Sequence, residues 1–113
     1  MTQRKLRPVH PGDILLRDFM QPFKLSSYKL ARELGVTAPT VNEIVRRRRA
    51  VTAEMALRLA RYFGTTAQLW QSLQSQYDLE IASQKIGKQV ERAIKPLRRT
   101  DLVDDVKSSG NAI

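Results

Sequence analysis

Residues 27–46 read SYKLARELGVTAPTVNEIVR, and this stretch decides the fold. It is a pair of short helices with a tight turn between them. The first helix covers about residues 27–34. Ser26 or Ser27 is placed to accept from its free first-turn amides, and Leu30, Ala31 and Leu34 fall on one face. Gly35 follows, suited to the left-handed conformation that ends a helix. The second helix covers about residues 38–46. Thr37 is its N-cap, and Pro39 sits in the first turn, where a missing amide costs nothing. Val41, Ile44 and Val45 point inward. A small residue at Ala31 lets the two helices approach closely, and Leu30, Leu34, Val36, Val41 and Ile44 seal the joint. Ala and Gly at this spacing, with apolar positions around them, make the pattern of a helix-turn-helix, whose second helix enters the major groove of DNA.

The outward face of that second helix carries Thr37, Ala38, Pro39, Thr40, Asn42, Glu43 and Arg46. Asn42 is the residue type that reads adenine through two hydrogen bonds, and Glu43 the type that accepts from cytosine or orients an arginine. Thr40 suits a base edge or a phosphate, whereas Ala38 and Pro39 offer only apolar contact. Arg46, Arg47, Arg48 and Arg49 follow directly. Adjacent cations repel, and phosphate contact is the use expected of them, with Arg46, Arg47 and Arg48 assigned to DNA. Ser27 and Tyr28, at the start of the preceding helix, complete the DNA-binding set.

Working outward, the rest of the chain also reads as helices, an all-α domain. No segment alternates apolar and polar residues long enough to argue a strand. A helix over about residues 11–20 presents Ile14, Leu15 and Phe19 inward and stops at Gln21-Pro22. Another starts at the cap Thr52, runs to Phe63 with Gly64 behind it, and carries Met55, Ala56, Leu59, Ala60 and Phe63 on a stripe. A fifth starts at the cap Thr66 and reaches about residue 81 or beyond, with Leu69, Trp70, Leu73 and Tyr77 on one face. Ile86, Val90, Ala93 and Ile94 are spaced to extend a helix up to Pro96. The organisation expected is a basic arm over 1–9, a DNA-binding domain over 10–85 and an extension over 86–113. That extension is expected to be helical to about residue 95 and poorly ordered beyond, where Ser and Gly gather around Asp104 and Asp105.

Composition narrows the function. The chain has 113 residues and a formal net charge of +9. Residues 1–50 hold 11 Lys/Arg against 4 Asp/Glu, and residues 51–113 hold 9 against 7. The excess cation therefore sits with the helix-turn-helix half and suggests a polyanion partner. There are no cysteines, which excludes disulfides and thiolate-bound metals. His10 alone does not make a zinc site. No cofactor or metal is expected, and the scattered acids suggest no catalytic centre. The N-terminus leads into Pro11-Gly12-Asp13 and not into an apolar run, unlike a signal peptide. No apolar stretch is long enough to span a bilayer. A soluble cytoplasmic protein is the expectation. An RNA-binding module would show stacking aromatics on a sheet surface, and the aromatic residues here fall mostly on helix stripes.

Three segments resemble the HigA/VapI-type antitoxins, the addiction-module antidote proteins among Xre-like regulators. They are HPGDILLRDF at 10–19, LARELGVTAPTVNEIVRRRRAVTAEMALRLARYFGTT at 30–66 and LWQSLQSQYDL at 69–79. The resemblance implies a five-helix, lambda-repressor-like DNA-binding domain that dimerises on a palindromic operator. It also implies repression of an operon encoding the chain itself and a HigB-like toxin, a ribosome-dependent mRNA endonuclease that the chain would neutralise. The alternative is a solitary Xre-family regulator with no toxin partner. Leu69, Trp70, Leu73 and Tyr77 are implied as the homodimer seam. The residues themselves favour core packing for Trp70 and Tyr77, with a dimer seam second.

Overall fold

A computed structural model of the chain describes residues 7–98. The basic residues Arg4 and Lys5, and the acidic pair Asp104 and Asp105, lie outside the described residues. The described residues are helical and contain no strand. Helix α1 begins at Pro11–Ile14 and continues as a π-helical segment, Leu15–Met20. Then come α2 (Ser27–Leu34), α3 (Ala38–Val45), α4 (Ala53–Phe63) and α5 (Ala67–Ala93). The chain divides into two compact units, Met1–Ala82 and Ser83–Ile113.

The first unit closes around Leu15, Met20, Leu30, Leu34, Val41, Ile44, Leu59 and Trp70, all buried. The α1 region departs from the expected α-helix. Gln21 N–H bonds to Leu16 O at 2.9 Å, a step of five residues. In that wider turn, residues five apart come onto one side. Leu15 and Met20 are therefore enclosed together, which an α-helix would not allow, and Ile14 is only half-buried.

The remaining helix limits follow local chemistry. Ser26, not Ser27, caps α2: its Oγ accepts from Lys29 N–H at 3.0 Å. Thr52 Oγ1 accepts from Met55 N–H at 3.2 Å, and Thr66 Oγ1 accepts from Leu69 N–H at 3.1 Å. Gly35 and Gly64 end α2 and α4 with φ of 74° at each. Behind each glycine the chain folds back on the helix, Val36 N–H to Ala31 O at 3.0 Å and Thr65 N–H to Ala60 O at 3.1 Å. These close orphan carbonyls and stop the helix.

In the second unit the helix runs on to Ala93 without a break, and Ile86, Val90 and Ile94 are exposed in the single chain. The expectation of poor order beyond Pro96 falls almost wholly outside the described residues.

Candidate nucleic-acid interface

The helix-turn-helix is built as the spacing predicts. Leu30 and Val41 are wholly buried at the joint, and Ala31 is 2 % exposed beside them. Arg58 on α4 adds a clamp that spacing does not reveal. Its Nη1 donates to Leu34 O at 2.7 Å, while Nη2 donates to Glu54 Oε2 at 2.9 Å. The C-terminal carbonyl of α2 thus has a charged donor, the pairing that suits a helix end.

The outer surface of α3 is open. Pro39, Asn42 and Arg46 are exposed, and Ala38, Thr40 and Glu43 are half-buried. Together with Arg48, the residues Ala38, Pro39, Asn42, Glu43 and Arg46 line one shallow depression. Thr37 Oγ1 accepts from Thr40 N–H at 3.3 Å, and the two hydroxyls lie 2.8 Å apart. Ser27 Oγ donates to Asn42 Oδ1 at 3.3 Å, so the start of α2 and the middle of α3 meet on this surface. Tyr28 is exposed next to it.

The four arginines, alike in sequence, separate into three roles. Arg46 caps the C-terminal end of α3 and points to solvent, as does Arg48, and neither forms an ion pair among the described residues. Arg49 is bound to Glu43, with Nε 2.8 Å from Oε1. Of the two roles open to Glu43 from the sequence, the structure shows the one of orienting an arginine. Arg47 has partners within the fold. Its φ is +66°, which turns the chain away from the helix axis. Its Nη2 donates to Pro8 O at 3.3 Å, and its Nε lies 3.6 Å from Asp13 Oδ2. Arg47 is a strut between the end of α3 and the N-terminal segment, unlike the solvent-facing Arg46 and Arg48.

The other end of that strut explains the His-Pro-Gly-Asp sequence. His10 Nδ1 accepts from Gly12 N–H at 2.9 Å, and Asp13 Oδ2 accepts from His10 N–H at 3.1 Å, a reciprocal cap at the start of α1. Gly12 lies against the last turn of α3, where a Cβ would come within 1.9 Å of Ile44 O. The Tyr77 ring meets His10 edge-on at 4.7 Å. Gln74, buried on α5, accepts from Val51 N–H at 2.8 Å through Oε1 and donates to Asp78 Oδ1 at 2.9 Å. A loop amide with no backbone partner is thereby satisfied. Gln74, Tyr77 and Asp78 hold the frame under α3.

Of the dimer set, Trp70 is corrected. Trp70 has no exposed surface, and its Nε1 donates to Thr65 Oγ1 at 2.8 Å. Leu73 packs on the core and Tyr77 on His10. Trp70 is closed inside the domain's own core, whereas Leu73 and Tyr77 keep part of their surface. Leu69, 37 % exposed, is the most open member of the set.

His10 makes this frame sensitive to acid. Burial pushes its imidazole below the ordinary value of 6.5; Asp13 opposes that shift, Arg47 adds to it, and Asp78 opposes it. Only neutral imidazole has the Nδ1 lone pair that the Gly12 N–H uses. The unfolded chain takes up a proton near pH 6.5 and the folded chain at lower pH, so the unfolded state binds more protons between the two. The stabilisation is complete above about pH 6.5 and is lost as pH falls through the folded value. Tm should therefore fall between pH 7.5 and 5.5 in the native chain. His10→Asn keeps a capping oxygen and removes the titration, and its Tm should be flatter over that window. An equal slope in both proteins would assign the acid sensitivity to other groups.

Fold and surface together define a helix-turn-helix domain with a cationic border. The helix-turn-helix family model matches residues 16–70. Virulence-associated protein I of Dichelobacter nodosus is 45 % identical over 82 residues, covering 73 % of this chain and 76 % of that protein. The structure of Pseudomonas aeruginosa antitoxin HigA with the higBA promoter is 53 % identical, with a TM-score of 0.80 over 81 % of this chain and all of that one. Antitoxin GraA in complex with its operator is 41 % identical, with a TM-score of 0.78 over 87 % of this chain and 99 % of that one. The chain belongs to the HigA/VapI-type antitoxin family of Xre-like helix-turn-helix proteins. No helix among the described residues is long and apolar enough to cross a membrane.

Proposed function

We propose that this chain is a sequence-specific transcriptional repressor that binds a palindromic operator as a homodimer. In this reading it represses its own operon and neutralises a HigB-like mRNA endonuclease toxin. The observation that carries the DNA reading is the open face of α3, with Asn42 exposed at its centre and the exposed Arg46 and Arg48 at its end. Helix α3 lies in the major groove, with Thr37, Ala38, Pro39, Thr40 and Asn42 toward base edges. Arg46 and Arg48 take phosphates, with Tyr28 and the exposed Lys29 on the α2 side, while Ser27 lies against Asn42. Glu43 acts through Arg49. No residue is given a catalytic role. Relatives solved with a promoter or an operator support this reading, and family membership supports the antitoxin role.

A palindrome requires two copies at fixed separation. Leu69 on the first unit is an exposed apolar side chain available to such a seam.

The test is a mobility shift on duplex DNA from upstream of the chain's own reading frame, titrated with salt. Affinity should fall steeply as salt rises, because bound arginines release counterions. Arg48→Ala should weaken binding to all sequences alike and reduce the salt slope by about 1. Arg47→Ala should instead lower Tm, since it removes the strut to Pro8 and Asp13. Binding indifferent to salt would sink the phosphate assignment.

A further inference from the structure

We infer that Ser27 is a specificity-determining positioning residue: its hydroxyl holds the Asn42 side-chain amide in place on the base-reading surface. The inference rests on the DNA-binding reading above and names how that same site discriminates. Ser27 and Asn42 are 15 residues apart on different helices, joined by the bond from Ser27 Oγ to Asn42 Oδ1 at 3.3 Å. The Ser27 hydroxyl is available for this because Ser26 performs the capping of α2.

An exposed asparagine amide has two ends of nearly equal shape and opposite chemistry, an accepting oxygen and a donating NH₂. Unrestrained, the side chain also swings between rotamers. The Ser27 hydroxyl, a donor and an acceptor, restrains where the amide lies; with Oδ1 bound to it, one Oδ1 lone pair and both Nδ2 hydrogens remain for a partner. Adenine offers an N7 acceptor beside an N6 donor in the major groove. An amide held in place beside that pair meets it with donor to acceptor and acceptor to donor. Ser27 therefore acts on the base through Asn42, with no base contact of its own.

The consequence is specific to one base pair in each half-site. The orienting bond lies at the surface, where a hydrogen bond contributes a modest net amount, so its loss should lower base preference at that pair by roughly two- to tenfold. The rest of the site should keep its preferences, because Ser27→Ala leaves Arg46, Arg48 and the backbone of α3 in place.

The experiment is selection from a randomised duplex library with the full chain, comparing the native protein with Ser27→Ala, Ser27→Thr and Asn42→Ala, with Tm measured for each. The native chain should enrich a site in which Asn42→Ala loses the preference at one base pair per half-site. Ser27→Ala should weaken the preference at that same pair and no other, with Tm unchanged. Ser27→Thr, which keeps the hydroxyl, should restore it. A Ser27→Ala profile identical to the native one overturns the inference, and so does an even loss across the site or a failure of threonine to rescue. If the native chain enriches no sequence, the DNA-binding reading itself falls, and this inference with it.

Discussion

Trp70→Ala should destabilise the domain by about 3–5 kcal/mol, the range for removing a large aromatic side chain from a core. Several small effects add in one direction here. Trp70 is fully enclosed, and its ring centroid lies 5.2 Å from that of Phe19, which in turn stacks against Phe63 at 4.9 Å. Its removal leaves a void among α1, α4 and α5 that the surrounding helices cannot fill without moving. It also strips Thr65 Oγ1 of the indole N–H. Native small domains hold only about 5–15 kcal/mol in all, so the variant should be largely unfolded at physiological temperature. Far-UV circular dichroism with urea titration measures the effect. A variant that kept native stability while losing self-association would return Trp70 to a dimer seam.

Gly12→Ala should be nearly as damaging, from one added methyl group. The Cβ would sit 1.9 Å from Ile44 O and 2.7 Å from Ile44 C, both backbone atoms at the end of α3. No rotamer change relieves such a contact, because the obstacle is main chain. Either α1 moves away from α3 or the last turn of α3 gives way. The first breaks the link from His10 and Asp13 to Arg47, and the second disturbs the helix proposed to read DNA. Overpacking commonly costs about 1–3 kcal/mol, with larger values where nothing can yield. A cost of about 3 kcal/mol would lower Tm by roughly 15 °C in a domain of this size. DNA affinity should fall even at temperatures where the variant remains folded. An unchanged Tm would show that α1 and α3 are not in the contact described.

The two variants probe a frame that is only partly visible in the sequence. The helix-turn-helix was legible because its signals are local. Caps at Ser26, Thr37, Thr52 and Thr66, and glycines behind Leu34 and Phe63, act on amides and carbonyls within a few residues. The burial of Leu30, Ala31, Leu34, Val41 and Ile44 follows from helical periodicity. Ser26 and Ser27 were equivalent as caps until the fold brought Asn42 beside one of them.

By itself, then, the sequence determined the five helices, the turn at Gly35 and the surface of α3 that is left outward, since each depends on spacing and short-range hydrogen bonding. Tertiary structure alone decided that Arg47 faces Pro8, that Gln74 serves Val51 and that Arg58 holds Leu34, partners 39, 23 and 24 residues apart. It also decided that the α1 turn widens so that Leu15 and Met20 share one side, and that Trp70 lies inside rather than at a seam. The physical reason is common to all of these. A cap or a stripe is settled by neighbours within about one turn of helix, but the partner of a long polar side chain, and the depth of an aromatic one, depend on which distant element the closed chain places against it.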